Sequence, residues 1–130
     1  MSVPPLAGRS LGNSDGSFVL VEWTDDRESS RDHPVTPVHA HLDEDEAWYV
    51  LEGRLGCRVG DEEVEAGRGA GVLVPRGTPH TYWNAGSGCA RYLLVMGPTT
   101  FRLIEALHTA SHDGEAMREL LREHASELLA

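Results

Sequence analysis

An all-β domain, an antiparallel sandwich or barrel finished by a short helical tail, is the fold class that this sequence predicts. Three observations carry it. Short apolar runs recur between residues 17 and 100, and Gly, Pro and Asp break them at close intervals. The stretch Arg54–Val59 alternates cleanly, with Leu55, Cys57 and Val59 on one face and Arg54 and Arg58 on the other. After Pro98 the apolar spacing lengthens to that of a helix.

The elements follow in order. Residues 1–16 hold Pro4, Pro5, Gly8, Gly12 and Gly16 among few large apolar side chains and read as a flexible arm. Ser17 to Trp23 forms a strand through Phe18, Val19, Leu20 and Val21, and the polar stretch 24–36 is a loop or flap. Val38 to His41 is a short strand. Ala47 to Glu52 is strongly β, and Gly53 turns the chain into Arg54–Val59. Gly60-Asp61 is the next turn, and Glu62–Glu65 returns as a polar edge strand. Val72–Val74, His80–Trp83 and Ala90–Met96 complete the strands, with turns at Pro75-Arg76-Gly77 and at 85–88. The domain so defined spans residues 17–100. In the tail, 101–130, Phe101, Ile104, Ala106 and Leu107 suit a first helix packed on the barrel. Met117, Leu120, Leu121, His124 and Leu128 share a face of a second, with Asp113 as its cap.

At 130 residues the chain is one domain, long enough to bury about two-thirds of its unfolded surface. The net charge of −10 argues against nucleic acid and anionic membrane as partners, since both need a basic footprint. The cationic side chains are all Arg, with no Lys, which reads as a composition bias. No basic-then-apolar leader is visible at Met1 to Asn13, and no apolar run reaches membrane length, so a cytoplasmic location is expected. In that compartment Cys57 and Cys89 are expected as free thiols.

Two segments carry the chemistry. The first reads His39-x-His41-x4-Glu46-x6-Gly53, and the second Gly69-x5-Pro75-x-Gly77-x2-His80-x3-Asn84. Residues two apart on a strand share a face, so His39 and His41 aim two imidazoles the same way. A turn through 42–45 brings Glu46 back beside them, and His80 enters from a separate hairpin. Three neutral imidazoles and a carboxylate suit a divalent transition metal. Glu46 begins an apolar strand, where a buried carboxylate needs a cation or hydrogen bonds. Its neighbours Asp43, Glu44 and Asp45 read as a solvated loop, and Arg76 as exposed.

These two segments resemble the paired sequence motifs of the cupins, with fifteen residues, 54–68, between them. The second matches at Gly69, Pro75, Gly77, His80 and Asn84. The first departs once, because the Gly usual six residues before the first His is His33 here. The resemblance covers roughly residues 17–100. It implies a double-stranded β-helix, or jelly-roll barrel, around one divalent ion: iron, nickel, manganese, zinc, cobalt or copper. Gly53, Gly69, Pro75, Gly77 and Asn84 are motif positions with structural roles.

Around the ion, Trp48 and Val50 share parity with Glu46, and Leu55, Cys57, Tyr82 and Leu93 are read as inward, forming an apolar pocket. Cys57 is expected to act as a small buried hydrophobe. His33 and Tyr82 are the candidates for moving a proton. His108, His112 and His124 are given structural roles.

Four protein ligands on an ion that accepts six leave positions for a small molecule. The resemblance to quercetin-dioxygenase-like cupins implies an oxygenase acting on an enolic or aromatic substrate. Cupins also include redox-silent isomerases, epimerases and polyketide cyclases, and non-catalytic binding proteins, and these readings stay open. The resemblance further implies a homodimer.

Overall fold

The structure, a computed structural model, describes residues 6–26, 29–109 and 113–129. In chain order the elements are β1 (Ser10–Leu11), β2 (Val19–Asp25), β3 (His39–His41), β4 (Glu46–Glu52), β5 (Arg54–Val59), β6 (Glu62–Gly67), β7 (Gly71–Val74), β8 (His80–Asn84) and β9 (Ala90–Met96). Then come α1 (Pro98–Thr109), α2 (Gly114–Glu123) and β10 (Ser126–Leu128).

The strands form two five-stranded antiparallel sheets, one ordered β1-β2-β9-β4-β7 and the other β10-β3-β8-β5-β6. Their facing sides close on one core that includes Val19, Val21, Trp48, Val50, Leu55, Cys57, Tyr92, Leu94 and Met96. This is the all-β jelly roll with C-terminal helices that the sequence predicts. Leu55 and Cys57 are buried while Arg54 and Arg58 are exposed, as their alternation requires. The glutamate-rich β6 lies at a sheet edge, where charge discourages pairing with other chains.

Tight turns set the register. Gly53 (φ 76°) sits where an added Cβ would strike the Cys89 carbonyl, so no other residue fits that hairpin without rearrangement. Asn84 fixes the 85–88 loop as expected: its Oδ1 accepts from Gly86 N at 3.0 Å and its Nδ2 donates to Gly88 O at 2.8 Å.

The ends differ from expectation. Residues 1–5 of the arm lie outside the described residues, but β1 within the arm pairs with β2, Ser10 opposite Val21 and Leu11 opposite Leu20. This pairing uses backbone groups alone and leaves no side-chain signature. Asp113 caps α2 by accepting from Ala116 N at 2.7 Å, as predicted. That helix stops at Glu123, however, and Leu128 belongs to a strand rather than to the helical face. β10 covers the edge of β3 that β8 leaves open, supplying partners for backbone groups that an apolar periodicity cannot reveal.

The acidic run is more than solvated loop. The Glu44 carboxylate accepts from Thr99 N at 3.1 Å and Thr100 N at 2.7 Å, capping the positive end of α1. Asp45 accepts from Arg76 N at 2.8 Å and pairs with its exposed guanidinium. Both residues tie the turn before Glu46 to neighbouring elements. Among the described residues no helix is long and apolar enough to cross a membrane.

Candidate metal centre and its cavity

β3 sends His39 and His41 out on one face, and the Cα of His80, at the start of β8, lies opposite that of His39. The rings crowd together, with centroids 4.3 Å apart for His39 and His80, 4.9 Å for His39 and His41, and 5.2 Å for His41 and His80. One nitrogen from each of the three lies within 4.8 Å of the others. Residues 42–45 carry the chain across to the other sheet, so that Glu46 faces the trio from the opposite side. Its Oε2 is 2.9 Å from His41 Nε2 and 3.8 Å from His80 Nε2.

The other ring nitrogens are tied off. His39 Nδ1 donates to Pro37 O at 2.7 Å, and His80 Nδ1 donates to Thr78 O at 2.9 Å. His41 Nδ1 lies 2.8 Å from Ser126 Oγ, whose own proton goes to His124 O at 3.1 Å, so here too the ring is the donor. Each imidazole therefore has its Nδ1 tied off as a donor and aims Nε2 into the site, the arrangement by which outer partners orient metal-ligating histidines.

The polar bookkeeping points to the same place. Among the described residues, the buried side-chain atoms without a hydrogen-bond partner are Thr36 Oγ1, Glu46 Oε2, Trp48 Nε1 and His80 Nε2. Two of the four are the atoms that would ligate an ion. Bonds of about 2.0–2.2 Å from Nε2 and carboxylate oxygen to a common ion would satisfy them. These residues fit a divalent metal.

The electrostatics favour a ligand-ready state. Burial, reinforced by His80 and His41, lowers the pKa of His39 to about 4. Burial also lowers that of His80. For Glu46, burial works toward protonation, but the contact with His41 and the charges of His80 and His39 outweigh it and hold the carboxyl below its usual range. Neutral His39 and His80 and an ionised Glu46 are the forms that a cation requires.

The site opens on a cavity of about 500 Å³. His39, His41 and Glu46 form part of its wall, while His80, 1% exposed, sits behind them. Trp23, Trp48, Tyr82 and Tyr92 supply aromatic walls, and the Tyr82 and Tyr92 hydroxyls are 2.9 Å apart. Leu103 and Leu107 from α1, with Met117 and Leu121 from α2, close it on the helical side.

Of the expected pocket residues, Trp48 and Tyr82 line this cavity. Val50, Leu55 and Cys57 point inward but belong to the packed core beside it. Burial drives the Cys57 thiol up to about 12, so it stays protonated and acts as a small hydrophobe. Leu93 is a correction: it faces away from the core, and Tyr92 and Leu94 take the inward positions. The run Leu93–Met96 is apolar on both parities, so alternation could not decide its direction. His33 is also corrected. It is exposed, bonded through its backbone to Ser30, and does not line the cavity.

His108, expected to be structural, lines the cavity with its ring 5.4 Å from that of Trp23. His124 donates from Nδ1 to Leu120 O at 2.8 Å at the end of α2, and His112 lies outside the described residues. Sequence reasoning also missed Trp23, Asp25, the Val35–Pro37 stretch and Ser126, all brought to the site by long-range packing.

Comparison with known proteins gives a consistent result. Residues 31–96, half of the chain, match the family model described as a cupin domain. No significant match was found among curated protein sequences. Among solved structures, the fold is similar to a cupin protein from Bacteroides fragilis (TM-score 0.59, 15% identity, 89% of this chain and 90% of that one). It is similar to KdgF from Halomonas sp. (TM-score 0.58, 18% identity, 69% and 76%). A sugar phosphate isomerase of the cupin superfamily from Silicibacter pomeroyi also matches (TM-score 0.54, 23% identity, 68% and 57%), so this chain spans little more than half of that one. At these identities the likeness speaks to fold.

Proposed function

This chain belongs to the cupin family, and from that premise we propose that it is a metal-dependent enzyme acting on a small organic molecule held in the cavity beside His39, His41, His80 and Glu46. The observation that carries this reading is the convergence of three imidazole nitrogens and a buried carboxylate oxygen beside a half-open cavity. A divalent ion there would supply a Lewis acid with open positions for an oxygen-bearing ligand.

The chain's own residues do the rest. Glu46 leaves about one net positive charge on a divalent centre, which suits an enolate or phenolate oxygen. Trp23, Trp48, Tyr82 and Tyr92 offer flat apolar walls to a planar molecule. α1 and α2 exclude water from the helical side. These features support, as the finer reading, dioxygenase-type oxidation of an enolic or aromatic substrate.

A second reading rests on the Tyr82–Tyr92 hydroxyl pair, which can hold and pass a proton at the cavity wall. It would serve redox-silent isomerisation or cyclisation. One solved neighbour is named as a sugar phosphate isomerase, but among the described residues no Arg lines this cavity to give a phosphate the guanidinium fork that commonly grips it. A neutral or enolic substrate fits better.

The test is to load the protein with each candidate ion and offer enolic substrates in an oxygen electrode, with proton exchange in deuterated water followed in parallel. Metal-dependent oxygen uptake supports the oxygenase. Exchange without uptake supports the isomerase or cyclase. Binding without either leaves a small-molecule-binding protein.

We also propose a homodimer, in the cytoplasm, formed through the outer face of the first sheet. There Leu20, Val95, Ala47 and Leu73 stand side by side across β2, β9, β4 and β7, with Leu93 and Tyr49 in the next row. Leu73 is 62% and Tyr49 46% exposed. Two copies, each of charge −10, repel except where a face lacks unpaired acid. On this face Glu22 and Glu52 are paired with Arg91.

A further inference from the structure

We propose that Ser126 is a positioning residue for the metal centre, and that through it the helix α2 over the cavity and the ligand His41 form one mechanical unit. The inference rests on the metal-centre reading above and deepens it.

The three histidines are not held alike. His39 and His80 are tied to carbonyls two residues away in their own loops, Pro37 O and Thr78 O. His41 alone depends on a side chain from a remote part of the chain, 85 positions on. Ser126 is 2% exposed, and its hydroxyl makes two directed bonds, donating to His124 O and accepting from His41 Nδ1. With its proton committed to the carbonyl, the hydroxyl can only accept from the ring. That fixes His41 Nδ1 as the donor and holds the ring with Nε2 beside Glu46.

The tie is anchored by backbone. The Cα of Ser126 lies opposite that of His41, Leu42 N donates to Ala125 O at 2.8 Å, and Leu129 N donates to Val38 O at 3.0 Å. On its other side Ser126 joins α2 through a two-residue turn. Ala125 there adopts φ 49°, a left-handed conformation that is unfavourable for a residue with a Cβ and persists only when its surroundings hold it. One turn further back, Leu121 is buried and lines the cavity together with Met117. A displacement of α2 by cavity contents is thus relayed to His41 through residues 121–126, and ordering of His41 by an ion is relayed back.

The experiment compares Ser126→Thr with Ser126→Val, which match in volume and strand preference but differ in the hydroxyl. Co²⁺ affinity and its visible absorption spectrum are measured, with amide hydrogen exchange at residues 117–128 followed with and without Zn²⁺. Far-UV circular dichroism verifies the fold of each variant. The unmutated protein and Ser126→Thr are expected to bind Co²⁺ alike, within about threefold. Ser126→Val is expected to bind about 10–100-fold more weakly, with an altered spectrum. Zn²⁺ is expected to slow exchange across 117–128 in the first two proteins and not in the third.

Equal Co²⁺ affinity and spectra for Thr and Val would overturn the role of Ser126 while leaving the metal centre standing. Exchange at 117–128 that ignores Zn²⁺ in the unmutated protein would overturn the coupling to α2. Failure of the unmutated protein to take up Co²⁺ would overturn the metal reading and this inference together.

Discussion

Glu46 Oε2 and His41 Nε2 lie 2.9 Å apart, both buried at the wall of the cavity. The other nitrogen of that ring, Nδ1, donates to Ser126 Oγ at 2.8 Å. A carboxylate oxygen and an imidazole nitrogen therefore face each other at contact distance inside the barrel, with His80 Nε2 at 3.8 Å. A divalent ion among them would take all three atoms as ligands, and this convergence of buried polar atoms is the physical core of the functional assignment.

Removing a ligand should remove the ion and spare the fold. His39→Ala, His41→Ala and His80→Ala are each expected to weaken metal binding by more than about 100-fold, beyond the 10–100-fold typical of outer partners. Circular dichroism should still report the β structure. Full metal occupancy in any of these variants would displace the site.

The metal-free protein should lose stability as it is acidified from about pH 6.5 to about pH 4. His39 titrates near 4 when folded, against an ordinary value of 6.5. In that window the unfolded chain binds more protons, so stability falls as pH falls, by up to about 1.4 kcal/mol per pH unit from this one group. The contribution is complete above 6.5 and gone below 4. His80 is shifted in the same direction and adds to the slope. Calorimetry of the apo form across this range checks it; a flat melting temperature would show that the histidines are not desolvated.

Glu44→Ala should lower stability by about 1 kcal/mol, because the amides of Thr99 and Thr100 lose their cap at the start of α1. For a chain of this length that is a fall of roughly 3–5 °C in Tm. Asp43→Ala, at an exposed position in the same run, should change stability by less than about 0.5 kcal/mol. Equal effects would reduce Glu44 to solvated loop.

Leu73→Glu, on the outer sheet face, should convert dimer to monomer in sedimentation velocity without loss of metal binding. A monomeric unmutated protein, or a dimer indifferent to this change, would move the interface elsewhere.

The sequence made legible what side-chain periodicity and spacing encode. Alternation in Arg54–Val59 marked β5, and the positions of His39, His41, Glu46 and His80 marked the ligand set that the fold brings together. Other features left no such trace. The apolar run Leu93–Met96 conceals which parity is inward. β1 and β10 are held by main-chain pairing, so no side-chain pattern singles out Ser126. Glu44 caps a helix more than fifty residues away, and Trp23 meets His108 only after the tail folds over the barrel mouth. Glycine signals were mixed: Gly53 announced a turn, whereas Gly56 is required because the Trp83 indole occupies the space of a Cβ, which no local pattern shows.

The most direct measurement is elemental analysis of protein purified without chelator or polyhistidine tag, repeated after reconstitution. Close to one divalent transition-metal ion per chain is expected, lost on substitution of His41 or His80. A protein that carries no metal and takes none up, with His39, His41, His80 and Glu46 intact, would contradict it.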